Sequence, residues 1–261
     1  MAEADTALRH SPLDAEHRAL GARMAPFGGW EMPLQYAGVL EEHRACRERA
    51  VVFDVSHLGT VGFHGAGAHD ALQWLLTNDL DRVAPGRAQY THLLDPDDAH
   101  VVDDIIVWWV GDEEFLVMPN ASNTTPLLAA LDDASRRHAD GACTIADVTT
   151  SRAVIAVQGP AARTELAALQ SRWADVPRFA VQTAVFDGEP GWVAGTGYTG
   201  EDGVERAVTQ RGCFSHGPAA YAADLALRPT RPPRPRSPER HGWRRRHRHR
   251  SAMARLHRAA R

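Results

Sequence analysis

Asp103 and Asp104 interrupt Val101–Val110, a run otherwise built of β-branched and aromatic residues. Side chains on a strand alternate, so Asp104, Ile106 and Trp108 share one face and Asp103, Ile105 and Val107 the other. One carboxylate is thereby directed toward a core or pocket beside an aromatic ring, where it costs free energy unless something bonds it. Two readings stand: a strand-end Asp capping a turn, or a carboxylate that binds and orients a polar heterocycle stacked on Trp108. The second stretch with chemistry is Gly197-Tyr-Thr-Gly-Glu-Asp-Gly-Val-Glu205. Its glycines allow a tight loop. No Gly-Lys-Ser/Thr follows and its acids would repel phosphate, so it is not a P-loop. The alternatives are an ordinary Gly-rich turn and a loop whose Tyr and Glu suit a neutral ring rich in hydrogen-bond donors. Gly59, Gly65 and Gly67 form no dinucleotide fingerprint. Ser56 and His57 are adjacent and would face opposite sides of a strand, which argues against a nucleophile pair and makes His57 structural. Asn120, at the end of a predicted strand, reads by itself as a turn residue.

These groups need elements to position them. Periodicity predicts a strand at Thr60–His64 and a helix over Gly67–Leu76 with Ala68, Ala71, Leu72, Leu75 and Leu76 as its apolar stripe. Val101–Val110 and Phe115–Met118 flank the polar turn at 111–114 and predict a hairpin. A helix is expected over Thr124–His138, then a strand at Ala153–Val157. Pro160 suits the first residue of a further helix ending at Leu169, and Trp192–Gly195 is another strand. Strands mix with helices without strict alternation, so the class is α+β rather than a doubly wound sheet.

The 261 residues suit one large or two smaller domains. The chain has no Lys. Residues 1–205 hold 14 Arg against 31 Asp and Glu, a net charge of −17, whereas residues 206–261 hold 15 Arg against Asp224 and Glu239, a net of +13. An acidic body argues against nucleic-acid binding. Cys46, Cys143 and Cys213 lack zinc-ligand or disulfide-framework spacing, so no metal is expected. The start of the chain is acidic, without an apolar signal segment, and no apolar run approaches a membrane span. The expectation is a cytoplasmic protein without a membrane partner. Residues 206–261 read as an Arg/Pro/His-rich tail: Pro229–Pro238 carries five Pro and three Arg, a composition hostile to helix and central strand.

Nine segments in order carry a family resemblance: Leu20–Met24, Phe27–Pro33, Glu41–His43, Phe53-Asp-Val-Ser-His-Leu-Gly59, Leu76–Asp79, Gly86–Tyr90, Val101-Val-Asp-Asp-Ile-Ile-Val107, Val157–Pro160 and Gly197–Glu205. Together they resemble the glycine cleavage system T protein, the tetrahydrofolate-dependent aminomethyltransferase family. The resemblance implies a folate-binding α+β core of mixed antiparallel sheets with packed helices, with a C-terminal barrel domain that has no counterpart here. It implies that the lipoylated H protein is the partner, that tetrahydrofolate is the acceptor substrate and that no metal is used. Asp104 resembles the carboxylate that contacts the pterin and positions the N5 nucleophile. Tyr90, Asn120, Tyr198 and Glu205 resemble folate-pocket residues. Trp108 stands where the family commonly has Tyr, able to stack but without the hydroxyl, and Pro119 is unusual before Asn120, with the expectation that it disturbs the strand end.

The resemblance stops at Glu205, which divides the chain into an incomplete folate-binding domain (1–205) and a tail (206–261). The family continues with a segment like Gly-Leu-Gly-Ala-Arg-Asp that is not visible here. The expectation for 206–261 is a change of reading frame, since one choice of GC-rich codons for Ser237–Arg246, shifted by two bases, can spell Ala-Arg-x-x-Arg-Leu-Glu-Ala-Ala. Weak or absent transferase activity is then expected. One competing reading makes the tail a basic RNA-binding arm. Another is an iron–sulfur-assembly folate protein of the same superfamily, whose Lys-Gly-Cys-Tyr-x-Gly-Gln-Glu motif Arg211–Gly217 resembles faintly. Sarcosine- or dimethylglycine-oxidising relatives need a flavin domain for which there is no room.

Overall fold

A computed structural model describes residues 7–169, 171–186 and 189–209. The chain starts with β1 (Arg9–His10), α1 (Asp14–Ala19), the hairpin β2 (Arg23–Phe27) and β3 (Trp30–Gln35), α2 (Val39–Glu48) and β4 (Val51–Asp54). Next come β5 (Val61–His64), α3 (Ala68–Leu75), β6 (Arg87–Leu94), β7 (Val101–Gly111), β8 (Glu114–Met118), α4 (Thr124–His138) and β9 (Thr144–Asp147). The last described segments are β10 (Arg152–Gln158), α5 (Ala162–Leu169), α6 (Ser171–Ala174), β11 (Val181–Phe186), β12 (Glu189–Ala194) and β13 (Gly203–Thr209). A small sheet has the order β1-β3-β2, and two five-stranded sheets have the orders β11-β12-β13-β10-β4 and β6-β7-β8-β5-β9. Within the two large sheets every ladder is antiparallel. This is the α+β class expected.

Strand alternation builds three apolar layers. On β7, Ile105 and Val107 face a core shared with Leu72 of α3 and Leu127, Leu131 and Ala134 of α4. Ile106 and Trp108 face the opposite way, into a core shared with Val154 of β10, Ala194 of β12 and Ala207 of β13. The two large sheets therefore pack face to face. Val157, Val193 and Val204 close the outer side of the second sheet against Leu166 of α5 and Trp173 of α6. A strand covered on both faces reads as a continuous apolar run rather than an alternating one, as in β10, where every residue is buried.

Four expectations change. α5 starts at Ala162, and Pro160 belongs to the turn before it. Ser56 and His57 lie in a turn after β4 rather than on a strand, so alternation does not separate them; Ser56 instead donates to Asp54. Pro119 leaves the strand end intact, because it follows the last residue of β8 and its carbonyl accepts the Gly59 N–H at 3.0 Å. The ordered sheet also passes the composition break at Glu205: β13 pairs with β10 through Thr209, with Arg206, Ala207 and Val208 buried. The tail from residue 210 onward, including Arg211–Gly217 and Pro229–Pro238, lies outside the described residues.

Candidate functional site

The paired carboxylates divide their labour. Asp103 is 4% exposed and accepts two hydrogen bonds from Asn120, from its backbone N–H at 2.9 Å and its side-chain amide at 2.7 Å. The same amide nitrogen donates to Asp104 Oδ1 at 2.8 Å. Asn120 comes two residues after the end of β8, so the two-carboxylate clamp fastens the exit of β8 to the first part of β7. Asp104 itself is exposed, on the inner-facing side of β7, and no described residue bonds its second oxygen. A fixed carboxylate with one free oxygen can accept a proton or a hydrogen bond from a ligand N–H.

From the facing sheet comes the Gly197–Glu205 segment. Gln158, at the end of β10, anchors it: its amide donates to the Thr196 carbonyl at 3.1 Å, and its oxygen accepts from Thr199 Oγ1 at 2.8 Å. That close approach requires glycine, since a Cβ on Gly197 would lie 2.1 Å from Gln158 Oε1 and one on Gly203 2.1 Å from the Val157 carbonyl. The two loop acids are spent on structure. Glu201 takes Arg47 Nη1 at 2.7 Å, and Asp202 takes both arms of Arg163 at 2.7 and 3.0 Å. Tyr90, on β6, donates to the Gly197 carbonyl at 3.1 Å and packs edge-on against Tyr198 and Phe179, each at 5.8 Å. Burial, with Glu205 nearby, pushes the Tyr90 hydroxyl up to about 12. Burial also raises Tyr198, reinforced by Tyr90, Asp104 and Glu205. Both tyrosines are therefore neutral hydrogen-bond donors at physiological pH. Glu205 is 3% exposed and accepts from Thr196 Oγ1; burial raises its carboxyl, opposed by Thr196 and Arg152. A cavity of about 500 Å³ opens beside Tyr90, lined by Phe179, Arg178 and the Gly195–Gly197 backbone.

Five of the six expected residues thus form one polar group at the edge of the inter-sheet core: Asp104 and Asn120 from one side, Tyr198 and Glu205 from the other, Tyr90 between them. The donor set suits a heterocycle with several N–H groups, because carboxylates at Asp104 and Glu205 accept and the tyrosine hydroxyls donate or accept. Trp108 does not join them. It is fully buried in the inter-sheet core, its indole N–H has no hydrogen-bond partner among the described residues, and it offers no face for stacking.

Two residues escaped the sequence reading. Asp103 was visible as half of the pair, but its tie to Asn120 depends on tertiary contact. Asp54 is the other: it accepts from Ser11, from Ser56 and from His17 Nε2 at 2.7 Å, and His17 Nδ1 in turn meets the Tyr36 hydroxyl at 2.7 Å. This chain ties the N-terminal segment to the end of β4. Burial alone would raise the Asp54 carboxyl; the bonds from His17, Ser11 and Ser56 outweigh it and hold it below the usual range.

Two facing antiparallel sheets with outer helices, and a polar cluster where one sheet's Asp-Asp strand meets the other's Gly-rich loop, define a member of the GCVT N-terminal domain family, whose model matches residues 13–213. Among curated relatives, the aminomethyltransferase of Mycobacterium tuberculosis is 44% identical over 198 residues, covering 76% of this chain and 52% of the relative. That of Frankia alni is 46% identical over 200 residues, covering 76% and 53%. The crystal structure of glycine cleavage system aminomethyltransferase T from Bartonella henselae superposes with a TM-score of 0.73 at 30% identity, covering 84% of this chain and 57% of that one. A heterotetrameric sarcosine oxidase from Corynebacterium shares the fold, with a TM-score of 0.52 at 17% identity. The chain spans about half the length of the curated relatives it matches. No helix among the described residues is long and apolar enough to cross a membrane.

Proposed function

We propose that the described body is the folate-binding part of an aminomethyltransferase of glycine catabolism. In this reading an aminomethyl group carried on the lipoyl arm of the H protein passes to tetrahydrofolate, giving 5,10-methylenetetrahydrofolate and ammonia, in the cytoplasm. Bound tetrahydrofolate supplies the nucleophilic nitrogens. The protein's part is positioning and electrostatics. Asp104 holds the reacting nitrogen through its free oxygen; Asn120 fixes that carboxylate; Tyr198 donates to a ring acceptor; Tyr90, whose own O–H goes to the Gly197 carbonyl, accepts from a ring N–H, as does Glu205. No step needs a metal or a covalent enzyme intermediate. The observation that carries the reading is the Asp104 carboxylate, fastened through one oxygen and facing the tyrosine pair. The iron–sulfur-assembly and RNA-binding readings rest on residues beyond Thr209 and gain no support from the body.

Titration with tetrahydrofolate, followed by tryptophan fluorescence, tests the reading. Wild type is expected to bind, and Asp104→Asn to lose at least tenfold in affinity with its melting temperature unchanged. Equal binding by the two proteins would remove Asp104 from the site.

A further inference from the structure

We propose that Arg178 is an anion-binding residue of the cavity beside Tyr90, taking the carboxylate of a ligand whose aromatic part lies against Tyr90 and Phe179. The choice of ligand rests on the folate reading: the group held is then the glutamate tail attached to the p-aminobenzoyl ring.

The charge inventory of the cavity wall singles this residue out. Arg163 is consumed by Asp202 and by the carbonyls of Ala174 and Val176, each at 2.7 Å. Glu201 is consumed by Arg47. Arg178 forms no ion pair among the described residues; its guanidinium lies over the Phe179 ring, 5.3 Å from the centroid. A weakly hydrated, planar cation on an aromatic face is pre-organised to meet a carboxylate. Arg178, Tyr90 and Phe179 line the same cavity, so the cation and the aromatic pair face the same space.

The segment carrying Arg178 is held in an unusual shape. Phe179 has a φ of +57°, a left-handed conformation that costs a bulky residue roughly 1 kcal/mol or more. Bonds on both sides hold it there: its N–H donates to the Gly195 carbonyl at 2.9 Å, and its carbonyl accepts the Ala88 N–H at 2.8 Å. Those bonds clamp the segment between the end of β12 and β6. The ring is thereby set edge-on to Tyr90 and directly under the guanidinium. Strain maintained by flanking bonds, an aromatic wall and a cation that makes no ion pair among the described residues, with Asp202 on the same wall already bonded to Arg163, together describe a subsite for a ring bearing an anion.

The test compares tetrahydrofolate, tetrahydropteroate and p-aminobenzoyl-glutamate on wild type, Arg178→Gln and Arg178→Lys. Arg178 is exposed, so neither substitution strains the fold. Arg178→Gln is expected to weaken tetrahydrofolate and p-aminobenzoyl-glutamate about tenfold, the scale of one charge-assisted hydrogen bond. Tetrahydropteroate, which lacks the glutamate, is expected to be unaffected, and Arg178→Lys to recover part of the loss. Equal weakening of all three ligands, or of none, overturns the proposal. If wild type fails to bind tetrahydropteroate, the folate reading falls, and p-aminobenzoyl-glutamate alone decides the subsite: binding lost in Arg178→Gln supports it, and binding absent from wild type or indifferent to the substitution overturns it.

Discussion

Replacing Asp103 by alanine, and separately Asp104 by alanine, distinguishes a supporting carboxylate from a working one on the same strand. Asp103 accepts the Asn120 backbone N–H at 2.9 Å and its amide at 2.7 Å from a buried position. A hydrogen bond to a charged acceptor contributes about 1.5–3 kcal/mol. Without Asp103 the backbone bond is lost outright, while the amide keeps Asp104 Oδ1 at 2.8 Å. The expected cost is about 2–4 kcal/mol, which in a body of this size lowers the melting temperature by roughly 10 °C. Asp104 is exposed, and its removal leaves both Asp103 bonds in place. Asp104→Ala should therefore change stability by less than about 0.5–1 kcal/mol while removing the free acceptor oxygen. Urea unfolding followed by tryptophan emission measures both variants. The reasoning fails if the two are equally destabilised, or if Asp104→Ala is the worse.

Two buried acids should respond to pH with opposite signs. Asp54 is held below its ordinary value of 3.8, so its contribution is present above that value and lost as pH falls through the lower folded-state value. Asp54→Asn should cost about 3–5 kcal/mol at pH 7, because it disturbs a buried carboxylate–histidine pair, and should flatten the acid-side loss seen in urea unfolding between pH 5 and 2. A variant curve parallel to wild type would refute this. Glu205 is raised above 4.5, so it favours folding in its protonated form, and this advantage is lost as pH rises through the folded-state value. Glu205→Gln, which can keep the Thr196 bond, should raise stability at pH 7 and leave it unchanged at pH 3; a loss at pH 7 would show that the carboxylate is better paired than its surroundings imply.

Legibility followed the range of the forces involved. The α4 helix was visible because Leu127, Leu128 and Leu131 recur at helical spacing; Leu127 and Leu131 enter the core, joined by Ala134, and Leu128 packs at its margin. The two faces of β7 were visible for the same kind of reason. Which carboxylate is buried was not, because that depends on Asn120 arriving from 16 or 17 residues along the chain. Trp108 looked like a stacking platform because one strand cannot show that a second sheet covers it. Arg206 read as the first residue of a basic tail, yet it is buried, with its guanidinium 5.3 Å from the centre of the Trp173 ring. Composition counts the charge and misses the stem and planar face that let arginine enter a core. The Asp54 chain joins partners 37 and 43 residues apart and has no local signature at all.

The placement of Trp108 shows how the fold sets the site's geometry. Directly behind the polar cluster, this indole packs with Ala88, Ala194 and Ala207. Three of its neighbours are the smallest residues that carry a Cβ, and they let the facing sheet approach a ring of this size. In a close-packed interior a change of one methylene is felt, so the separation of the two sheets is fixed by this contact. Asp104 and Asn120 belong to one sheet's side of that contact, and Glu205 and Tyr198 to the other's. The span between the acceptors at the two ends of the cluster is therefore set by apolar packing that touches no ligand. A tyrosine in place of Trp108 would be smaller, and its hydroxyl would need a partner; tryptophan instead fills the inter-sheet space and leaves the polar contacts to Tyr90 and Tyr198. The ring that the sequence suggested as part of the binding surface acts here as the spacer that holds the two halves of that surface apart.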